Sequence, residues 1–276
     1  MASSSPAPDL AKCLLVDWSV YNSVPPFQNE PEDRVVQIFP RESRVDYASS
    51  PNEARWKVWE NITHAILSHR ETQKRMMESG GVVFGGFSAA SVAMRCVTKV
   101  PAGCPVWVKH FDQRNNTVNY FPIGTTTTTT ITDAEEPSND AQTSVEEMDL
   151  EVVDHDPIGD AFFQVHLALT KGHVPQQQLI PEPTQNATFG RLTVVLRQMN
   201  VTPENIHLLT KEIIDCIRRN YPRNYTGLVI TNSLPLPLAA SVGRRLSPNV
   251  FGKVTFLEFS RGKEYQNAGV VNCNAA

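Results

Sequence analysis

The sequence predicts an α/β protein with a mostly parallel sheet and flanking helices. Three observations carry this. Strand-like and helix-like segments alternate through the C-terminal part of the chain. Gly190–Met199 (GRLTVVLRQM) is rich in β-branched residues, as strands are. The helical stretch after it places Ile206, Leu209, Ile213, Ile214 and Ile217 on one face.

Residues 1–11 carry Ser, Pro and Ala with little apolar content and are expected to form a disordered tail. Cys13–Val20 and Val35–Phe39 are short apolar runs separated by the Pro-rich Val24–Pro31, and are expected to be strands. Pro51-Asn52-Glu53 opens a helix that Gly80-Gly81 ends. Trp56, Trp59, Ile62, Thr63, Ile66 and Leu67 fall at helical spacing along it, which makes the indoles core anchors. Gly80–Phe87 (GGVVFGGF) has the glycines of a phosphate loop but neither a GKS/T ending nor GxGxxG spacing. It reads as tight turns around a short strand, with a helix over Ser88–Val97.

Pro105–Phe111 (PVWVKHF) alternates and is a strand. Six consecutive threonines, Thr125–Thr130, precede an acidic run. With so few large apolar groups, residues 123–151 are expected to be a long disordered acidic insertion. His155, between Asp154 and Asp156, reads as part of a solvated charge run, since nothing supplies further metal ligands. Asp156-Pro157 would cap a helix over Gly159–Lys171, with Phe162, Phe163, Val165, His166 and Leu169 as its stripe and Gly172 closing it. Thr202 would be the N-cap, and Pro203 the first residue, of a helix that Tyr221-Pro222 stops. Gly227–Asn232 is a strand, Pro237–Leu246 a short helix and Lys253–Phe259 a final strand. The expected organisation is a tail, an N-terminal segment 12–100 packing on the core, and a domain 101–276 holding the insertion.

Composition narrows the function. With 41 % hydrophobic residues the chain can build a core, and no apolar run reaches the 18 or more residues that cross a bilayer. The N-terminus lacks the charged and apolar regions of a secretory signal. The five cysteines show no CxxC pair, which fits reduced thiols and a cytoplasmic location. The sequons at Asn61, Asn115, Asn186, Asn200 and Asn224 are then chance matches. Asp133–Asp156 holds ten of the 29 acidic residues, leaving 19 against 25 Lys and Arg elsewhere. That mildly basic remainder favours anionic partners. G-x-S-x-G, P-loop, HExxH and dinucleotide fingerprints are absent, so the chain is expected to be non-enzymatic and to need no cofactor.

The order Gly190–Met199, Asn220-Tyr221-Pro222, Leu228–Ile230, Asn232-Ser233-Leu234-Pro235 and Lys253-Val254-Thr255-Phe256-Leu257 resembles the CRAL-TRIO lipid-binding family of the phosphatidylinositol-transfer type. The resemblance spans about residues 101–259. It implies a sheet floor and helical walls around an apolar cavity for one hydrophobic ligand, with Leu236–Leu246 as a gate. It also implies that Lys253 holds a headgroup phosphate, while Arg223 stands where the family has Glu. Arg223, Arg244, Arg245 and Lys253 are then the expected ligand-binding residues. The expected function is lipid binding or transfer of a phospholipid or other hydrophobic ligand, with peripheral membrane contact. The alternatives are a protein-interaction scaffold of the same fold and an α/β enzyme; nucleic acid is not an expected partner.

Overall fold

The computed structural model describes residues 7–49, 51–112, 115–124, 145–151, 161–169, 188–197, 200–223, 225–260 and 264–271. The first sheet contains β1 (Leu14–Asp17), β2 (Val35–Gln37), β3 (Val82–Gly85), β4 (Val106–Asp112) and β5 (Thr117–Ile123). The second contains β6 (Val145–Glu151), β7 (Ala161–Ala168), β8 (Thr188–Leu196), β9 (Gly227–Asn232), β10 (Lys253–Ser260) and β11 (Glu264–Val271). The helices are α1 (Glu53–Leu67), α2 (Arg70–Glu78), α3 (Ala90–Thr98), α4 (Ile206–Asn220), α5 (Leu236–Arg245) and the single turn α6 (Pro248–Phe251). The α/β class with mostly parallel sheets and flanking helices is as the sequence predicts.

The two sheets repeat one design. The first runs β2-β1-β3-β4-β5, parallel except for β5, which is antiparallel to β4. The second runs β11-β10-β9-β7-β8-β6. With β6 set aside, β8-β7-β9-β10-β11 repeats that order and those directions, β11 being antiparallel to β10. The connection from the third strand to the fourth holds α3 in the first half, and α5 followed by the single turn α6 in the second. These equivalent helices pack together: Gly243 of α5 lies on Met94 of α3 so closely that an added Cβ would stand 2.5 Å from the Met94 Cα. The contact is with backbone and cannot rotate away. Gly243→Ala is therefore expected to cost about 1–3 kcal/mol of stability by overpacking the junction. An unchanged denaturation midpoint would show that the halves separate freely there.

Local chemistry explains the element ends. Asn52 caps α1 by accepting the Arg55 N–H at 2.9 Å. The expected single helix from Pro51 to Gly80 is two, because Ser68 ends α1 and His69 turns extended. The amide of Gln73 donates to the carbonyls of Leu67 and Lys99, satisfying the broken end. Ahead of α4, Thr202 and Asn205 bond reciprocally: Thr202 N–H donates to Asn205 Oδ1 at 2.8 Å, and Asn205 N–H to Thr202 Oγ1 at 3.3 Å. The helix proper thus begins at Ile206 rather than Pro203, with its isoleucines inward.

Several expectations are corrected. Gly159–Lys171 is not a helix; Ala161–Ala168 is β7, flanked by β8 and β9. Hence Thr188–Leu196 and Gly227–Asn232 lie in one sheet and run parallel but do not pair with each other. The expected disordered insertion is not confirmed: Ile123 ends β5, Val145–Glu151 pairs antiparallel with β8, and residues 125–144 lie outside the described residues. His155 and residues 1–6 also lie outside them. At residues 9–12 the chain makes a turn, the Lys12 N–H donating to the Asp9 carbonyl at 2.9 Å. The first sheet crosses the division placed at residue 100. Lys253–Ser260 is not the last strand, since β11 follows it.

Candidate functional site

Open α/β sheets present ligand sites beyond the carboxyl ends of their strands. In the first half, β1 ends at Asp17 and β3 at Gly85, and the segments that follow are tied together. Asp17 Oδ1 accepts the Ser19 N–H at 2.9 Å and the Ser19 hydroxyl at 2.6 Å. Its Oδ2 accepts from Arg44 at 2.9 Å, a buried ion pair in which the Arg44 Nε donates to the Phe39 carbonyl at 3.1 Å. Ser19 Oγ accepts the Phe87 N–H at 3.2 Å, and Trp18 Nε1 donates to the Gly86 carbonyl at 3.2 Å. Gly86 has φ +116° and lies directly on Ser19 Oγ and Asp17 Oδ1, so a side chain there would be strained and would collide. The network fixes the 86–89 turn and with it the start of α3.

Above this turn lies a cleft of about 230 Å³ lined by Tyr21, Tyr47, Trp56, Phe87, Ser88 and Glu258, among others. Its volume is below the about 300–1,000 Å³ of pockets that enclose a drug-sized ligand, so it suits one part of a larger molecule. Three rings meet at it. Tyr47 and Phe87 stand 4.7 Å apart, Tyr21 and Phe87 5.2 Å, and Tyr21 and Tyr47 5.3 Å edge-on. Tyr47 is 51 % and Phe87 41 % exposed, unusual for rings that have each other to pack on. Two donors in the wall, Trp56 Nε1 and Ser88 Oγ, are buried without a partner among the described residues. Unsatisfied buried groups of this kind call for an explanation; a ligand is one. Glu258, from β10 of the second half, accepts the Ser91 N–H at 3.0 Å with Oε2, and so sits on the first turn of α3. Burial pushes its carboxyl above the ordinary carboxylate range.

None of the four expected ligand-binding residues lines this cleft. Lys253 and Arg223 are exposed at the amino ends of β10 and β9, the far end of the second sheet from Glu258. Arg244 donates to the carbonyls of Val97 at 3.0 Å, Val100, and Pro101 at 2.7 Å, anchoring the end of α3. Arg245 lies 3.2 Å from His207 Nε2. Desolvation, and then the Arg245 charge, lower the His207 pKa. His166, expected in the stripe of a helix, is buried in β7 with Nδ1 2.7 Å from the Thr231 hydroxyl.

No protein-family model and no curated protein sequence matches the chain. Solved structures do match. A SAVED/CARF-domain receptor Cap4 of Acinetobacter baumannii, with the cyclic trinucleotide 3′3′3′-cAAA, superposes with a TM-score of 0.60 at 12 % identity, covering 94 % of this chain and 52 % of that one. The same receptor with 2′3′3′-cAAA gives 0.53 at 12 % identity over 80 % of this chain and 44 % of that one. Described without a ligand, it gives 0.54 at 13 % identity over 95 % and 50 %.

The chain shares its fold with a part of these SAVED/CARF-domain receptors. It spans about half the length of the receptors it matches. This overturns the CRAL-TRIO resemblance and, with it, the lipid-binding function, the phospholipid partner and the membrane contact that rested on it. Here β7 lies between β8 and β9, so the strands at Gly190 and Gly227 are not neighbours. Tyr221 of the Tyr-Pro motif acts locally, its hydroxyl donating toward the carbonyls of Tyr225 at 3.1 Å and Phe251 at 3.0 Å. The sheet face meant to floor a lipid cavity is filled by Phe163, Val165, Leu192, Val194, Ile230 and Phe256, all buried in one core.

Proposed function

We propose that this SAVED/CARF-like chain is a non-catalytic receptor module that binds a small nucleotide of the cyclic oligonucleotide class in the cleft at Tyr21, Tyr47 and Phe87. The observation that carries the reading is the cluster of exposed rings beside unsatisfied buried donors, at the carboxyl ends of strands in this fold. Bases stack on aromatic side chains, and buried donors without partners are restored by polar groups of a ligand. The A. baumannii receptor with the same fold was solved with cyclic trinucleotides, which suggests the ligand class. This replaces the expectation that nucleic-acid chemistry plays no part.

A non-catalytic role fits the described thiols. Burial pushes Cys96 and Cys216 up to about 12, far from a reactive thiolate. The four described cysteines are free, which suits a reducing compartment such as the cytoplasm.

Calorimetric titration with cyclic tri-adenylate tests the reading. Loss of one stacking ring costs about 1–3 kcal/mol per base. Phe87→Ala and Tyr47→Ala are each expected to weaken binding about tenfold or more while leaving the melting temperature nearly unchanged, both rings being substantially exposed. Absence of binding by the wild-type protein to cyclic di- and trinucleotides would overturn the proposal.

A further inference from the structure

Glu258 is the acidic side chain of the cleft wall, and it comes from the half opposite the aromatic rings. Its Oε2 is held by the Ser91 N–H at 3.0 Å, which fixes the carboxyl at the mouth of α3. Among the described residues no Lys or Arg forms an ion pair with it. The polar neighbours in the wall are the neutral Ser88, Ser49 and Trp56 N–H and the two tyrosines.

A carboxyl at this place is the wrong partner for a phosphate, because like charges in a half-buried site repel strongly. It is the right partner for an N–H donor. A base stacked on the Phe87 and Tyr47 rings presents its edge, not its face, to the surrounding wall. An exocyclic amino group on that edge donates to a carboxyl oxygen whether the carboxyl is ionised or protonated, since both forms keep an accepting oxygen. An oxo group in the same place sets its lone pairs against those of an ionised carboxyl.

We infer that Glu258 is a specificity-determining residue that selects a ligand base carrying an exocyclic amino group over its oxo counterpart, an inference that rests on the nucleotide-binding reading above. With adenine, whose exocyclic amino group is the donor, the oxo analogue is hypoxanthine, the base of inosine.

The test compares cyclic tri-adenylate with cyclic tri-inosinate on the full chain, as wild type, Glu258→Gln and Glu258→Asp. Wild type should prefer the adenine ligand about tenfold or more, the scale of one good base-edge pair. Glu258→Gln is isosteric and keeps an oxygen for Ser91. Its amide N–H can donate to the oxo group, so the preference should fall to within about threefold, mainly by gain of the inosine ligand. Glu258→Asp keeps the chemistry on a shorter arm, and should weaken both ligands while retaining a preference for adenine. Equal binding of the two ligands by wild type, or an undiminished preference in Glu258→Gln, overturns the role of Glu258 and leaves the nucleotide-binding reading standing. Binding of neither ligand by wild type overturns that reading itself, and this inference with it.

Discussion

Arg44→Ala is expected to destabilise the protein by about 3–5 kcal/mol, the usual consequence of removing one partner from a buried ion pair. The Arg44 and Asp17 side chains are 2 % and 5 % exposed and 2.9 Å apart. Without the guanidinium, the buried Asp17 carboxylate has Ser19 as its donor among the described residues. The Phe39 carbonyl loses its partner as well. Arg44→Lys should recover little, because an ammonium cannot donate to Asp17 and Phe39 in two fixed directions. Urea denaturation checks this, and the pairing Asp17→Ala with Arg44→Ala sharpens it. If the double variant is no more stable than Arg44→Ala alone, the stranded charge is not the source of the loss. The effect should reach the cleft, since Asp17 holds Ser19 and Ser19 holds the amide of Phe87. A ligand titration on the folded fraction should show weaker binding even though Arg44 does not line the cleft.

The legible parts of this fold are those where one residue pattern admits one structure. The helix from Ile206 shows a clean stripe because one face is buried and the other is wet. GRLTVVL is β-branched enough to be a strand in any context. β7 failed for a physical reason. It lies between β8 and β9, and its two faces, Phe163, Val165 and Leu167 against Gln164, His166 and Ala168, are all buried. Phe163-Gln164-Val165-His166-Leu167 does alternate, but the run is short and is flanked by Phe162 and Leu169, so a helical reading competes with it. Phe162, Phe163, Val165, His166 and Leu169 then mimic a helical stripe. The duplication was hidden for a related reason: strand order is set by which apolar runs pair, and that leaves no repeat in the letters. The cleft was harder still. Its rings come from positions 21, 47 and 87 and its carboxyl from 258, brought together only by the packing of one half on the other. One signal was present. Gly85-Gly86-Phe87-Ser88 follows a buried strand and precedes a helix, the place where α/β proteins put their ligands. Without phosphate-loop spacing it read as a turn. The four basic residues do not line the cleft, because charge marks a surface, and Arg244 uses its charge on carbonyls of its own chain.

Trp59→Ala is expected to cost about 3–5 kcal/mol, the range for removing a large aromatic side chain from a closed core. Trp59 is fully buried, with Trp56 at 5.0 Å, Phe39 at 6.1 Å and Tyr21 at 6.5 Å, all near edge-on. Its Nε1 donates to the Ser43 carbonyl at 2.9 Å, one residue before Arg44. The indole therefore supports the first half in two ways: it fills space and it pins the segment that delivers Arg44 to Asp17. Trp59→Phe separates the two. It keeps most of the apolar volume but strands a buried carbonyl, for an expected loss of about 1–3 kcal/mol. The ring also backs Tyr21, which completes the aromatic cluster at the cleft. At a temperature where Trp59→Phe is fully folded, it should weaken cyclic-nucleotide binding by displacing Tyr21, without any contact between residue 59 and the ligand. Denaturation and titration on the same samples decide the point. A stable Trp59→Phe protein with wild-type affinity would mean that the cleft does not depend on the core beneath it. A loss of less than about 1 kcal/mol in Trp59→Ala would mean that the indole does not occupy the closed core described here.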